Sequence, residues 1–223
     1  MVNTNNNRIG KGFDRITALY DAIVCFFSFN RINKSQLAFL SHLSTQDTAL
    51  ILGGGTGYFL QKVLEQNQEI HITYVDVSAK MIELAKKRIE MNRAEDLIRV
   101  SFICKSAEDF EWTTYDFIIC NYFLDLFDDT FVKVLAEKFK KHLNPQGLLY
   151  VTDFHIPKAN GFLKWCTKMG LKVLYAFFRW AANLSTNQLP EMERILKEQG
   201  FFVSDSKYYL RGILMCCLYK MDN

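Results

Sequence analysis

The apolar run Thr48-Ala-Leu-Ile-Leu52 passes directly into Gly53-Gly-Gly-Thr-Gly57, with the helical pattern of Tyr58–Gln66 behind it. A strand that ends in a glycine turn lets backbone approach a ligand closely, because glycine has no Cβ and reaches φ > 0 at little cost. In open α/β sheets such a ligand lies outside the carboxyl end of the strand. About twenty residues further on, Ile72-Thr-Tyr-Val-Asp76 offers a second buried strand ending in a carboxylate, placed to accept both hydroxyls of a ribose. Together the two segments predict a site for a nucleoside cofactor.

The glycine spacing narrows which nucleoside. The dinucleotide fingerprint G-x-G-x-x-G needs its third glycine for close helix–strand packing beside a pyrophosphate. Counted from Gly53 that position is Tyr58, and from Gly55 it is Leu60, which disfavours a nicotinamide oxidoreductase. The phosphate loop G-x-x-x-x-G-K-[ST] fails as well, since Tyr58 again stands where its second glycine belongs. What the chain carries is G-x-G-x-G at Gly53, Gly55 and Gly57.

From Thr48 onward short apolar strands alternate with helical segments, which predicts βαβ units and a parallel sheet. Strands are expected at Thr48–Leu52, Ile70–Val75, Arg99–Cys104, Tyr115–Asn121 and Leu148–Phe154. Two more, Phe201–Tyr209 and Gly212–Tyr219, are close enough to pair as an antiparallel hairpin. Helices are expected up to Gln66 and over Ser78–Asn92, Asp129–His142 and Pro190–Gln199, the last stopped by Gly200. In Ser78–Asn92 the inner face is Met81, Ile82, Leu84, Ala85 and Ile89; Lys80, Lys86, Lys87 and Arg88 are solvated, and Ser78 caps the first turn. Right-handed crossovers place helices on both faces. A helical amino-terminal cap (1–44) and a helical lid insertion (157–188) project from the ligand edge of what reads as one domain, 1–223.

Composition restricts the partners. Nineteen phenylalanines against three prolines, in a chain 49% hydrophobic, predict a full core rather than disorder. A net charge of +3 without clustered Lys and Arg excludes a nucleic-acid footprint. Six cysteines show no C-x-x-C spacing and several sit in apolar strands, as expected of a reduced, cytoplasmic protein. The polar opening Met1–Arg8 lacks the apolar region of a leader, and no run of about eighteen apolar residues predicts a spanning helix. H-E-x-x-H, cysteine–histidine metal spacing and G-x-S-x-G do not occur, so no metal is expected.

From Ala49 to Tyr219 the chain resembles the class I S-adenosyl-L-methionine (SAM)-dependent methyltransferases. The glycine turn, Asp76, Tyr115-Asp-Phe-Ile-Ile-Cys-Asn121 and Leu143-Asn-Pro-Gln-Gly-Leu-Leu-Tyr150 fall in that family's order. The opening Gly12-Phe-Asp-Arg-Ile-Thr-Ala-Leu-Tyr-Asp21, followed by Phe27-Ser-Phe29, is similar to that of the ubiquinone/menaquinone biosynthesis C-methyltransferases. Those enzymes methylate prenylated rings, and some close relatives methylate lipid amines. The resemblance implies a Rossmann-like doubly wound seven-stranded α/β sheet, mostly parallel with a C-terminal antiparallel hairpin, and SAM as cofactor. Gly53, Gly54, Gly55 and Gly57 would line its methionine part, and Asp76 would hold the ribose hydroxyls with Val77 beside it. Met81 and Ala107 would lie near the adenine, with Ser106 where its amino group is accepted. Asn121 and Tyr122 would lie near the methionyl group and the reacting centre, and Tyr20 would close over the cofactor.

Two positions depart from the family pattern: Ile51 stands where an acidic residue is usual, and Ser106 replaces an aspartate. A serine still accepts one hydrogen bond, about half as strong as a charge-assisted one. These departures motivate an alternative, a non-catalytic methyltransferase-fold binding protein that has lost its SAM contacts.

Methyl transfer from a sulfonium is an in-line displacement that needs positioning more than covalent machinery. A general base is required only where the acceptor keeps its proton. His155 and Asp153 are expected to face the pocket from the carboxyl end of the fifth strand, with His155 as base or, alternatively, a loop histidine bonded to backbone. Asp125 either orients an acceptor or starts a helix. In Gly161–Trp180, Lys164, Lys168 and Lys172 recur every four residues and Arg179 follows seven on, among mostly apolar positions. Such a helix caps a greasy pocket or lies on a membrane surface, so peripheral membrane contact through 161–182 accompanies the lid. The expected activity is SAM-dependent methylation of a small or medium-sized lipophilic acceptor, a quinone-like ring or a lipid amine.

Overall fold

The structure, a computed structural model, describes residues 29–45, 48–157 and 189–222, with single positions at 161, 165, 167, 169 and 170. The expectations for Tyr20 and for the basic stripe Lys164, Lys168, Lys172 and Arg179 lie outside the described residues.

The strands are β1 (Thr48–Leu52), β2 (His71–Asp76), β3 (Val100–Cys104), β4 (Tyr115–Asn121), β5 (Leu143–Phe154), β6 (Phe201–Tyr209) and β7 (Leu214–Met221). The helices are α1 (Phe29–Gln36), α2 (Tyr58–Gln66), α3 (Ala79–Arg93), α4 (Asp129–His142) and α5 (Met192–Glu198). The strands form one seven-stranded sheet in the order β3-β2-β1-β4-β5-β7-β6. β1 to β5 run parallel, and β7 runs antiparallel to both β5 and β6. Because β2 and β4 flank β1 on opposite sides, the strand order reverses at β1. In doubly wound sheets the crevice at that switch point holds the ligand.

Alternation along β1 divides the core. Ala49 and Ile51 pack with Phe59, Leu60 and Val63 of α2 and Ile82, Ala85 and Ile89 of α3. Leu50 and Leu52 pack on the opposite face with Val132, Leu135 and Phe139 of α4 and Ile195 and Leu196 of α5. Burying each large side chain contributes about 1.5–3 kcal/mol, so both faces of the central strand are fixed by apolar contact.

Most element ends fall within two residues of expectation. β5 departs further, starting at Leu143 instead of Leu148. Leu143 pairs with Tyr115, the register then slips, and Leu148 pairs with Phe117. Residues 144–147 therefore bulge out opposite Asp116, whose Oδ1 accepts from Asn144 Nδ2 at 2.6 Å. The turn chemistry was correct, but it interrupts a strand instead of preceding one. β7 begins at Leu214 because Leu210, Arg211 and Gly212 adopt left-handed backbone (φ 50°, 57° and 92°) and reverse the chain there. α1 is tied to the sheet by Tyr150, whose hydroxyl donates to the carbonyls of Ser35 and Gln36 at 2.9 and 3.0 Å.

Candidate cofactor site

The turn after β1 is held from two sides. Gly53 N donates to the Val75 carbonyl at 2.9 Å, and Gly55 N donates to Asp76 Oδ2 at 2.9 Å. Tyr74 Oη donates to the Gly55 carbonyl at 2.8 Å, and Arg88 Nε of α3 donates to the Thr56 carbonyl at 2.9 Å. Arg88, expected to be solvated, is thus a turn-fixing residue. Helical periodicity places it beside the solvated lysines, and only the packing of α3 against the turn reveals its role.

The glycines differ in what requires them. A Cβ at Gly53 would lie 2.4 Å from the Phe123 ring, at Gly54 2.2 Å from the Tyr74 ring, and at Gly57 2.9 Å from Ala85. At Gly55 it would meet nothing within 4 Å. Three of these glycines are therefore demanded by neighbouring protein atoms, while Gly55, with φ 64°, opens onto free space.

Asp76 ends β2 beside this opening. Its Oδ2 accepts from Gly55 N, and its Oδ1 accepts from Ser78 N at 2.9 Å. Each carboxylate oxygen has two lone pairs, so a carboxylate used this way can still accept hydroxyls. Ser78 then caps α3, its Oγ accepting from Met81 N at 3.1 Å, and Met81 itself is buried. Val77 follows Asp76, its carbonyl 3.9 Å from Cys104 Sγ. One strand over, Cys104 lies opposite Asp76 and leads to Ser106 and Ala107. The Ala107 carbonyl accepts from Trp112 Nε1 at 3.0 Å and from Lys138 Nζ at 3.2 Å.

Asn121 closes β4. Neither its Oδ1 nor its Nδ2 has a hydrogen-bond partner among the described residues, although both atoms are buried. Leaving such a group unmatched costs about 1–3 kcal/mol. Tyr122 follows with φ 53°, a left-handed conformation costly for an aromatic residue. Its N donates to the Thr152 carbonyl at 2.7 Å, and its hydroxyl lies 2.6 Å from Ser35 Oγ of α1. The phenol thus couples the ligand edge to the segment before the sheet.

The predicted acid–base residues separate into two groups. Asp153 and Asp125 are brought together: Asp125 N donates to Asp153 Oδ2 at 3.1 Å, and Phe154 N donates to Asp153 Oδ1 at 3.0 Å. Both residues are buried. Burial, reinforced by the Asp125 charge, pushes the Asp153 carboxyl well above the usual carboxylate range. Asp153 was expected to face the pocket; the structure corrects this to an enclosed carboxyl that favours its proton. Asp125 lies in the first turn of a short 3-10 helix, Leu124–Leu126, while the longer α4 is capped by Asp128, whose Oδ1 accepts from Phe131 N at 2.9 Å.

His155 stands apart from that pair. Its N donates to the Ile213 carbonyl at 2.7 Å, and its Nδ1 lies 2.9 Å from the Gly212 carbonyl. A carbonyl only accepts, so Nδ1 carries the proton and Nε2 is the acceptor of the neutral ring. The histidine is bonded to backbone and, by the same bond, held in one tautomer. Ile51, at the usually acidic position, is 2% exposed in the apolar face above β1, where a charged side chain would be desolvated. Among the described residues no group of His, Cys, Asp and Glu is arranged to hold a metal ion, and no helix is long and apolar enough to cross a membrane.

Residues 50–149, which contain the turn, Asp76 and Asn121, match a family model described as a methyltransferase domain. The chain is 33% identical over 157 residues to a malonyl-[acyl-carrier protein] O-methyltransferase of Priestia megaterium, covering 67% of this chain and 52% of that protein. It is 30% identical over 117 residues to the mitochondrial 2-methoxy-6-polyprenyl-1,4-benzoquinol methylase of Caenorhabditis elegans, covering 52% and 40%. The chain thus spans about half the length of the curated relatives it matches. In fold it is similar to an O-methyltransferase from neocarzinostatin biosynthesis, solved with SAM and 2-hydroxy-5-methyl naphthoic acid. The TM-score is 0.67 at 12% identity, over 95% of this chain and 60% of that one. Turn, acidic strand end and sheet order agree with these matches, and the chain belongs to the class I SAM-dependent methyltransferases.

Proposed function

We propose that this chain binds SAM in the crevice at β1 and transfers its methyl group to a small or medium-sized lipophilic acceptor. The observation that carries the proposal is Gly55, whose missing side chain leaves open space beside a carboxylate fixed at the end of β2. The residues present fit the cofactor. Gly53, Gly54, Gly55 and Gly57 would admit the methionyl tail, Asp76 would hold the ribose, and the unmatched Asn121 amide would meet polar atoms of the tail. Val77, Met81, Ser106 and Ala107 would border the adenine, with Tyr122 near the reacting centre.

Bound SAM supplies a methyl group already activated by its sulfonium. The protein's share is to hold the acceptor in line and exclude water, effects worth up to about 7–11 kcal/mol. For an acceptor that arrives protonated, His155 Nε2 would take the proton, its Nδ1 being committed to the Gly212 carbonyl. Asp153 and Asp125 support that edge of the sheet rather than meeting the acceptor. A lipophilic acceptor, a quinone-like ring or a lipid amine, is supported by the apolar composition of Gly161–Trp180 and by the relative named as a polyprenyl benzoquinol methylase. Trp165 and Met169, exposed and four residues apart, support peripheral membrane contact of the same segment.

Isothermal titration with SAM and S-adenosylhomocysteine tests the cofactor, and saturable heat at micromolar to millimolar concentration is expected. Absence of heat with both would return the chain to a non-catalytic binding protein. Labelled-methyl transfer to a prenylated hydroquinone and to a lipid amine, set against a water-soluble phenol, tests the acceptor class. Transfer to the phenol alone would defeat the lipophilic assignment.

A further inference from the structure

Among the described residues the non-glycine positions with left-handed backbone are Tyr122, Leu210 and Arg211, at φ 53°, 50° and 57°. All three stand at the ligand edge of the sheet. Tyr122 follows β4, which runs parallel to β1. Leu210 and Arg211 precede β7, whose first residue, Leu214, is paired with Phe154 at the end of β5. Their turn is fastened to the segment leaving β5. His155 N donates to the Ile213 carbonyl at 2.7 Å, His155 Nδ1 to the Gly212 carbonyl at 2.9 Å, and a Cβ on Gly212 would lie 3.3 Å from Pro157 Cβ. The Tyr208 ring packs T-shaped against the same imidazole, centroids 5.6 Å apart.

Turns that need left-handed residues are normally built from Asn and Gly, because a Cβ is strained there. Leu-Arg at two such positions keeps both side chains at a cost in stability, and strain of this kind gathers at functional sites. Arg211 is exposed and takes part in no hydrogen bond or ion pair among the described residues. The sequence continuing from Pro157 offers it no carboxylate either: residues 157–188 hold five Lys and Arg and no Asp or Glu. A guanidinium stays charged, and its planar fork matches a carboxylate or phosphate in two parallel hydrogen bonds.

We propose that Arg211 is a specificity-determining residue for the acceptor, binding a carboxylate or phosphate that the acceptor carries beside His155. The proposal rests on the methyl-transfer reading above and narrows it to an acceptor with an apolar body and an anionic group. The strained turn then has a function: it presents the arginine next to the carbonyl that fixes the imidazole, so one backbone segment sets both.

The test titrates the full chain, with S-adenosylhomocysteine present, with a prenylated hydroxybenzoate and with the same prenylated phenol lacking the carboxylate, on wild type, R211G and R211K. Wild type is expected to bind the carboxylated compound about tenfold or more tightly, a preference that falls as salt is raised. In R211G the preference should shrink to within about threefold, with the neutral phenol and S-adenosylhomocysteine bound as by wild type. R211G should also melt at a higher temperature than wild type, since glycine relieves the left-handed strain, so damage to the fold cannot account for the loss. R211K, a point charge without the fork, should retain part of the preference. Equal binding of the two compounds by wild type, an undiminished preference in R211G, or binding of neither compound beside normal S-adenosylhomocysteine binding overturns the proposal and leaves the cofactor reading intact. Binding to phosphatidylglycerol vesicles that is lost in R211G, with the soluble pair bound alike, overturns it in favour of a lipid surface. If S-adenosylhomocysteine itself does not bind, the cofactor reading fails and the proposal with it.

Discussion

At Gly55 a methyl group would meet no protein atom, whereas at Gly57 it would press on Ala85 at 2.9 Å. Gly55→Ala should therefore cost only the left-handed backbone strain, about 1–2 kcal/mol. It should still weaken S-adenosylhomocysteine by about tenfold or more, since its methyl occupies the ligand's space. Gly57→Ala should lose more stability than that, because the strain and the clash add. Thermal unfolding and titration of both variants check this, and equal stabilities would contradict the packing assignment. Asp153 gives a second outcome. Its native carboxyl favours the proton, so its contribution is full below the unfolded pKa of about 4 and is lost as pH rises toward the elevated native value. Asp153→Asn removes that titration and should lose less stability than wild type between about pH 4 and 7 in urea denaturation. Parallel pH curves would show that the buried pair is not linked to folding.

Among the elements, α3 fixes the geometry of the site most directly. Ser78 caps its first turn, Asp76 lies just before that cap, and Arg88 holds Thr56 from its far end. Ser78→Ala should cost about 1 kcal/mol, seen as a melting temperature lower by about 2–4 °C. S-adenosylhomocysteine affinity should fall with it if the Asp76 orientation depends on the cap; unchanged affinity would separate the two roles. α1 illustrates a different dependence. Its sequence is polar and weakly helical, yet Tyr150 and Cys216 donate to its Ser35 carbonyl and Tyr122 meets its hydroxyl. Its docking is decided by partners more than 80 residues away.

For the whole molecule, a ligand seated where the strand order reverses at β1 should stabilise every strand that borders the crevice. At about one hundred times its dissociation constant, S-adenosylhomocysteine should add about 2.7 kcal/mol and raise the melting temperature by about 5–10 °C. No shift at saturation would place the binding energy outside the cooperative unit.

The sheet and the cofactor turn were legible because their signals are local. A continuous apolar run along β1, a glycine spacing and a carboxylate at a strand end are each written within a few residues. Gly55 and Asp76 could be named from spacing alone, though not that one bonds to the other. Side-chain pairings across strands were hidden for a physical reason: they depend on register and on which helix face packs where. Arg88 read as a solvated cation until α3 was laid against the turn, and Asp153 read as a pocket-facing carboxylate until Asp125 was folded onto it. The bulge at 144–147 and the left-handed reversal at 210–212 are likewise consequences of pairing partners, not of propensity. By itself, the sequence determined a nucleoside-binding α/β sheet. The tertiary structure alone decided which carboxyls are buried, which nitrogen of His155 accepts, and which hydroxyl Asp109 holds, because each depends on atoms that only folding brings within 3 Å or so.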